Sequence, residues 1–154
     1  MARQPYQVLV LPFIAGSTLN IEYAVFRRSD HGYWQGIAGG GEDDEMPADT
    51  ARREAEEEGG ISPCNDYYQL ETVTYVERSH FMASTGWDKS IVVVPSFSFA
   101  VSVSERTLRL SKEHSRYKWM QFDEAYEKLY WHGNKTALWE LNYRLTNGLM
   151  PKTI

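Results

Sequence analysis

The sequence holds a single cysteine, Cys64. One thiol cannot close an internal disulfide, so a secreted disulfide scaffold is excluded. Long apolar runs are missing too. The best candidates, Val8 to Ala15 and Ile91 to Val103, are broken by Pro12, Pro95 and several serines. Neither approaches the roughly 18–20 residues that cross a bilayer. The opening Met1-Ala2-Arg3-Gln4-Pro5 lacks the apolar core and small-residue cleavage site of a signal peptide. A cytoplasmic protein with no membrane partner is therefore the expectation. Positive charge is also short, with 16 Lys and Arg against 21 Asp and Glu and a net charge of −5. Such a surface does not grip a nucleic-acid polymer broadly, although a small anionic ligand stays open where cations gather locally.

What remains is an ordinary globular composition, 42% hydrophobic and 24% charged, with 14% aromatics. A chain of 154 residues suits one domain with one core, so residues 1–154 are expected to form a single domain. Tyr6 to Ile14 reads as a buried strand, Ala15-Gly16-Ser17 as a turn and Ile21 to Phe26 as the returning strand. Tyr33 to Ile37 is a short extended piece before Gly39-Gly40-Gly41. Pro47 to Glu58 reads as a helix, with Pro47 in its first turn, Asp44 or Glu45 as its cap or at its positive end, and Gly59-Gly60 as its stop. Tyr67 to Val76 and Ile91 to Val103 are further strands, with a polar loop from Glu77 to Ser90 between them. Tyr117 to Gln121 reads as a short strand and Asp123 as the cap of a helix reaching about Tyr130. Asn134 reads as the cap of a last helix that places Ala137, Leu138, Leu141 and Leu145 on one face and ends at Gly148. Strands, a helix, strands and helices in that order predict an α/β fold, a mixed sheet with helices packed on it.

The end of the first helix breaks two local rules. Glu54, Glu57 and Glu58 are spaced by three and four and share a face. Like charges at that spacing repel, and the helix dipole disfavours anions at this end. Violations of this kind gather at functional sites. A divalent cation relieves both costs, and carboxylates without cysteine or histidine among them suit a hard ion, Mg²⁺ or Mn²⁺. A solvated acidic face with no metal is the competing reading.

Residues upstream decide between them. Gly39, five residues, Glu45, seven residues, Arg53-Glu54-Ala55, one residue, Glu57-Glu58, one residue, Gly60-Ile61 resembles the Nudix box over residues 39–61. Ala55 stands where a larger aliphatic is usual. The resemblance implies an α/β/α sandwich around a central mixed sheet and hydrolysis of a phosphoanhydride with Mg²⁺ or Mn²⁺. It implies Glu57 and Glu58 as main metal ligands, Glu54 as a ligand or an orienter of water, and the Ala38 carbonyl as a further ligand. Arg53 and Glu45 would pair to hold loop and helix in register, with Gly39 and Gly60 as structural positions. The glycines are expected to turn the chain tightly and bring backbone oxygen near the ion.

Outside the box, Phe26-Arg27-Arg28 with Tyr33-Trp34-Gln35, Glu113-His114-Ser115-Arg116-Tyr117-Lys118-Trp119, and Trp131-His132-Gly133-Asn134 resemble the bacterial dihydroneopterin triphosphate or dATP pyrophosphohydrolase branch. That implies a nucleoside or pterin triphosphate as substrate, with pyrophosphate and a monophosphate as products. Glu113 would be a metal ligand or general base. Arg27 or Arg28 would contact phosphate, since guanidinium matches phosphate oxygens. Trp34 and Trp131 would stack on the ring, where core packing is the alternative for each, and Asn134 joins them as a substrate contact. His114 reads as a surface histidine, with a pocket role as the alternative. Hydrolysis of ADP-ribose, a nucleotide sugar or an oxidised nucleotide, and a non-catalytic nucleotide sensor, stay open. Family members often pair, which leaves a homodimer open.

Overall fold

In the computed structural model, residues 2–16, 20–81 and 86–154 are described. Ser17 of the expected turn, and residues 82–85 of the loop after Glu77, lie outside them. In chain order the elements are β1 (Arg3–Ala15), β2 (Ile21–Arg28), β3 (Trp34–Gln35), β4 (Ile37–Glu42), α1 (Pro47–Gly59), β5 (Asp66–Glu77), a 3₁₀ turn (Arg78–His80), β6 (Val93–Ser102), β7 (His114–Met120), α2 (Phe122–Lys128), α3 (His132–Thr146) and β8 (Lys152–Thr153).

The layering follows from β1. Its Leu9, Leu11 and Phe13 join one core cluster, while Val8 and Val10 join another. A strand buried on both faces must be apolar at successive positions, which is why this stretch shows no polar alternation. β1 runs parallel to β6, antiparallel to β4 along its first part, and antiparallel to β2 at its end, where Phe13 faces Tyr23. The eight strands form one mixed sheet in the order β3-β2-β1-β6-β5-β8, with β4 on β1 and β7 on β2. α1 covers one face through Ala51 and Ala55. α2 and α3 cover the other through Ala125, Ala137, Leu138 and Leu141, with Leu145 packed alongside. The result is the expected α/β/α sandwich. Burying a leucine such as Leu138 contributes about 1.5–3 kcal/mol, so the apolar stripe fixes α3 on the sheet. None of the described helices is long and apolar enough to cross a membrane.

The element ends differ from expectation in instructive ways. Met46, not Asp44 or Glu45, is the N-cap of α1, and its N–H donates to the Asp49 carboxylate at 3.2 Å. Gln121 caps α2 in place of Asp123. α3 starts before Asn134, with Trp131 as N-cap; Asn134 Oδ1 instead accepts the Gly36 N–H at 2.9 Å. β7 begins at His114, three residues before the expected Tyr117, and that residue is buried against the ring of Phe26. α1 does end as expected, at Gly60 with φ 66°, a backbone conformation glycine adopts without strain.

Candidate active site

One guanidinium organises the start of the site. Arg53 donates through Nε to Glu45 Oε2 at 2.7 Å and through Nη2 to Glu45 Oε1 and the Gly40 carbonyl, both at 2.9 Å. Nη1 reaches Glu54 at 2.9 Å and Glu57 at 3.2 Å. The two-pronged contact with Glu45 matches the planar fork of guanidinium to a carboxylate. Arg53 holds the Glu45 carboxyl down at about 2, helped by the Glu42 N–H and the Thr50 hydroxyl. The Tyr6 hydroxyl donates to the Glu45 carbonyl at 2.9 Å. The expected pairing of Glu45 with Arg53 therefore exists, and it ties the loop before α1 to the helix and to β4.

The triple glycine serves a different purpose from the expected tight turn. Gly39, Gly40 and Gly41 lie within β4, and none has positive φ. Their value is missing bulk. A Cβ on Gly39 would overlap the Glu54 carboxyl group, and one on Gly41 would overlap the Tyr6 ring. The small, buried Ala51 and Ala55 complete the picture, since short side chains let α1 approach the sheet closely. Ala55 is thus part of what brings the Glu54 carboxyl onto the backbone of Gly39.

The acidic side chains divide into two environments. Glu54 and Glu58 are buried, whereas the Glu57 side chain is 57% exposed and turned to Arg53. The carboxyls of Glu54 and the exposed Glu113 adjoin that of Glu58. Both Glu58 oxygens are buried, yet no N–H or O–H donor reaches them. Burial first, and the two neighbouring carboxyls second, push the Glu58 carboxyl up to about 12. Burial likewise raises Glu54, against the lowering effect of Arg53. His114 Nδ1 lies 3.5 Å from Glu58 Oε1, but neither ring nitrogen is hydrogen-bonded, and burial lowers its pKa. The expectation of a surface histidine is corrected: His114 is buried beside Glu58 because β7 starts three residues before the expected Tyr117. Its only sequence signal is its place next to Glu113.

An unpaired buried carboxyl is costly unless a cation meets it. The donors here are hard oxygens, which suit Mg²⁺ or Mn²⁺. Among the described residues no three acidic, histidine or cysteine side chains converge as a ready-made cage, in keeping with the turn of Glu57 toward Arg53. What fits a divalent cation is the pair of donor-free, buried Glu58 oxygens, with the Glu54 carboxyl beside them.

Beside this cluster opens a cavity of about 700 Å³. Ala38, Arg28, Gln35, Trp131 and Asn134 all line it. Arg28 is held by Asp30 through two contacts of 2.8 and 2.6 Å. Asp30 raises its pKa first, and Glu113 and Glu58 add to this, so Arg28 lines the cavity within electrostatic reach of the carboxyls. Tyr33, Tyr130 and Trp131 form an aromatic wall of the same cavity. Tyr33 stacks on Tyr130 at 3.9 Å, and Trp131 meets Tyr130 edge-on at 4.9 Å. Arg27 and Trp34 are not among the lining residues. Arg27 donates to Ser115 Oγ at 3.1 Å. Trp34 packs against the core with the Lys128 ammonium over its ring. Adjacent strand residues point to opposite faces, so Gln35, not Trp34, faces the cavity. That residue was missed by reading aromatics alone.

Comparisons with known proteins agree with this fold. The NUDIX domain family model matches residues 14–139. A solved protein of Listeria monocytogenes, assigned as a NUDIX hydrolase, is 39% identical, with 96% of this chain and 99% of that one covered and a TM-score of 0.86. The Escherichia coli dihydroneopterin triphosphate pyrophosphohydrolase is 21% identical over 93% of this chain and 98% of that one, with a TM-score of 0.74. The NUDIX domain of Shewanella oneidensis NrtR, solved with ADP ribose, is 17% identical over 92% and 88%, with a TM-score of 0.68. At these identities the last two share the fold. No curated protein matches the chain.

Proposed function

The chain belongs to the Nudix family of hydrolases, which act on pyrophosphate bonds, and from that premise we propose a Mg²⁺- or Mn²⁺-dependent pyrophosphohydrolase that splits a nucleoside or pterin triphosphate into a monophosphate and pyrophosphate. The observation that carries this reading is Glu58. Its carboxyl is buried with no donor to either oxygen, beside Glu54 and Glu113. Intact carboxylates at the centre of the site favour turnover over sensing.

Glu54, Glu57, Glu58 and Glu113, with the Ala38 carbonyl, would hold the divalent ion. When bound, it supplies neutralisation of phosphate charge and a lowered pKa for water. Glu54 or Glu113 orients a water and takes its proton on a carboxylate oxygen. The water oxygen attacks phosphorus in line, the bridging P–O bond breaks, and pyrophosphate leaves with the electron pair. Arg53 holds the loop and Glu54 in place, and Arg28 faces the phosphates from the cavity wall. Trp131 and Asn134 contact the ring. In this reading residues 1–154 act as one Nudix domain.

A turnover screen with Mg²⁺ over nucleoside triphosphates, dihydroneopterin triphosphate and ADP-ribose tests it. Release of pyrophosphate with a monophosphate supports the proposal. Cleavage of ADP-ribose alone replaces the substrate class, and no turnover of any compound refutes the reading.

A further inference from the structure

Two side-chain amides in the cavity wall turn their oxygens to the protein and leave their N–H₂ groups for a ligand. Gln35 is only 4% exposed and lines the cavity. Its Oε1 accepts the Trp131 indole N–H at 3.0 Å. An indole nitrogen can only donate, so chemistry fixes which end of this amide is oxygen. The Gln35 amide nitrogen meets no acceptor among the described residues. Asn134 repeats the arrangement. Its Oδ1 accepts the Gly36 N–H at 2.9 Å, and a backbone N–H likewise only donates. Its amide nitrogen is also without an acceptor among the described residues, on the same cavity.

The two amides are held by one unit. They meet at Gly36, where a Cβ would lie 2.6 Å from Leu9 and 2.9 Å from Leu11, so the backbone between β3 and β4 packs directly on β1. The Tyr130 N–H donates to the Trp34 carbonyl at 2.9 Å. Three ties thus join residues 34–36 to 130–134 and fix both donors against the aromatic wall.

We propose that Gln35 and Asn134 select the ring of the triphosphate by its acceptor edge: a 6-oxopurine or a 4-oxopteridine, in preference to a 6-aminopurine. This rests on the triphosphate hydrolysis proposed above. Guanine presents O6 and N7 side by side, both acceptors, whereas adenine pairs N7 with the N6–H₂ donor. A 4-oxo-7,8-dihydropteridine offers O4 and N5 in the guanine-like arrangement. A side-chain amide reads adenine by using its oxygen and nitrogen together. Here each oxygen is turned to a protein N–H and each amide nitrogen is left for the cavity, so adenine would set its N6–H₂ against a donor and leave the buried Gln35 donor unpaired.

The test uses the full chain with Mg²⁺. kcat/KM is measured for dGTP and dATP, and calorimetry measures binding of their α,β-methylene analogues, whose α–β bridge cannot be hydrolysed. dGTP is expected to lead by about tenfold to a hundredfold in both readouts. Gln35→Glu keeps one oxygen on the Trp131 N–H and turns the donor into an acceptor, so the preference should fall at least about tenfold. Asn134→Asp tests the second amide in the same way if Gln35→Glu does not fold. Equal use of dGTP and dATP, a lead for dATP, or an unchanged preference in both variants overturns the inference while leaving hydrolysis intact. A guanine preference in binding that the variants lose, with no turnover of either nucleotide, upholds the inference and refutes the hydrolysis.

Discussion

Gly39→Ala separates the fold from the site. Even the farther oxygen of Glu54 would lie 2.5 Å from the new Cβ, where unstrained heavy atoms need about 3.5–4.0 Å. The Glu54 carboxyl must therefore move by about 1 Å or more. It is the end of a flexible side chain, so the backbone can stay in place and the cost to stability should be about 1 kcal/mol, the low end for overpacking. The cost to chemistry should be larger. A displacement of this size in a reacting constellation costs about 10²-fold, or about 2.7 kcal/mol of transition-state stabilisation. The assay is kcat/KM with Mg²⁺ on the best substrate, beside thermal unfolding and Mn²⁺ titration calorimetry. Gly86→Ala, which meets nothing within 4 Å, is the control. Turnover within about threefold of wild type in folded Gly39→Ala, well short of that 10²-fold, would show that close contact between this strand and Glu54 is incidental.

Three further outcomes follow from the same residues. Glu57→Gln, at an exposed position, should lower kcat by about 10²–10⁴-fold with the melting temperature retained; near-normal kcat at saturating Mg²⁺ removes Glu57 from the site. For Glu45, the carboxyl is held at about 2 against an ordinary 4.5. A depressed acid contributes stability above its unfolded value and loses it as pH falls through the folded one. The pair with Arg53 should therefore weaken between pH 4.5 and about 2, by about 1–2 kcal/mol after solvent screening; an acid-unfolding curve for Glu45→Gln identical to wild type contradicts this. Glu58 carries the opposite sign. Its carboxyl, ordinarily at 4.5, is raised to about 12, so folding without metal takes up a proton and stability falls as pH rises above 4.5. In EDTA near pH 8, Glu58→Gln should be more stable than wild type by about 1–3 kcal/mol, and added Mg²⁺ should stabilise the wild type alone; equal melting temperatures in EDTA would sink the argument.

What the sequence disclosed and what it withheld divide by range. Glu45, Arg53, Glu54 and Glu58 are brought together by one loop and one helix, and helical spacing alone predicts that Glu54 and Glu58 share a face. The same spacing cannot tell that Glu57 turns to Arg53 while Glu58 is buried, because burial depends on what the sheet supplies opposite. The alternation of β1 was hidden for a related reason: a strand covered on both faces leaves no period to read. The triple glycine suggested freedom of φ, yet at Gly39 the need is space for a carboxyl contributed by a different element.

His114, Gln35 and Asn134 lie further from sequence reasoning. His114 faces Arg28 across the β2–β7 pairing, and this register carries it to Glu58. The Gln35 and Asn134 amides acquire their orientations from partners 96 and 98 residues away. A carboxamide in a sequence is both donor and acceptor. Only the folded chain, by committing each oxygen to an N–H that cannot accept, turns the pair into donors and gives the cavity a chemical preference. Selectivity of this kind is therefore a tertiary property: motif spacing places the reactive carboxylates, while the ring they act on is chosen by contacts that exist only once α3 has docked on the sheet.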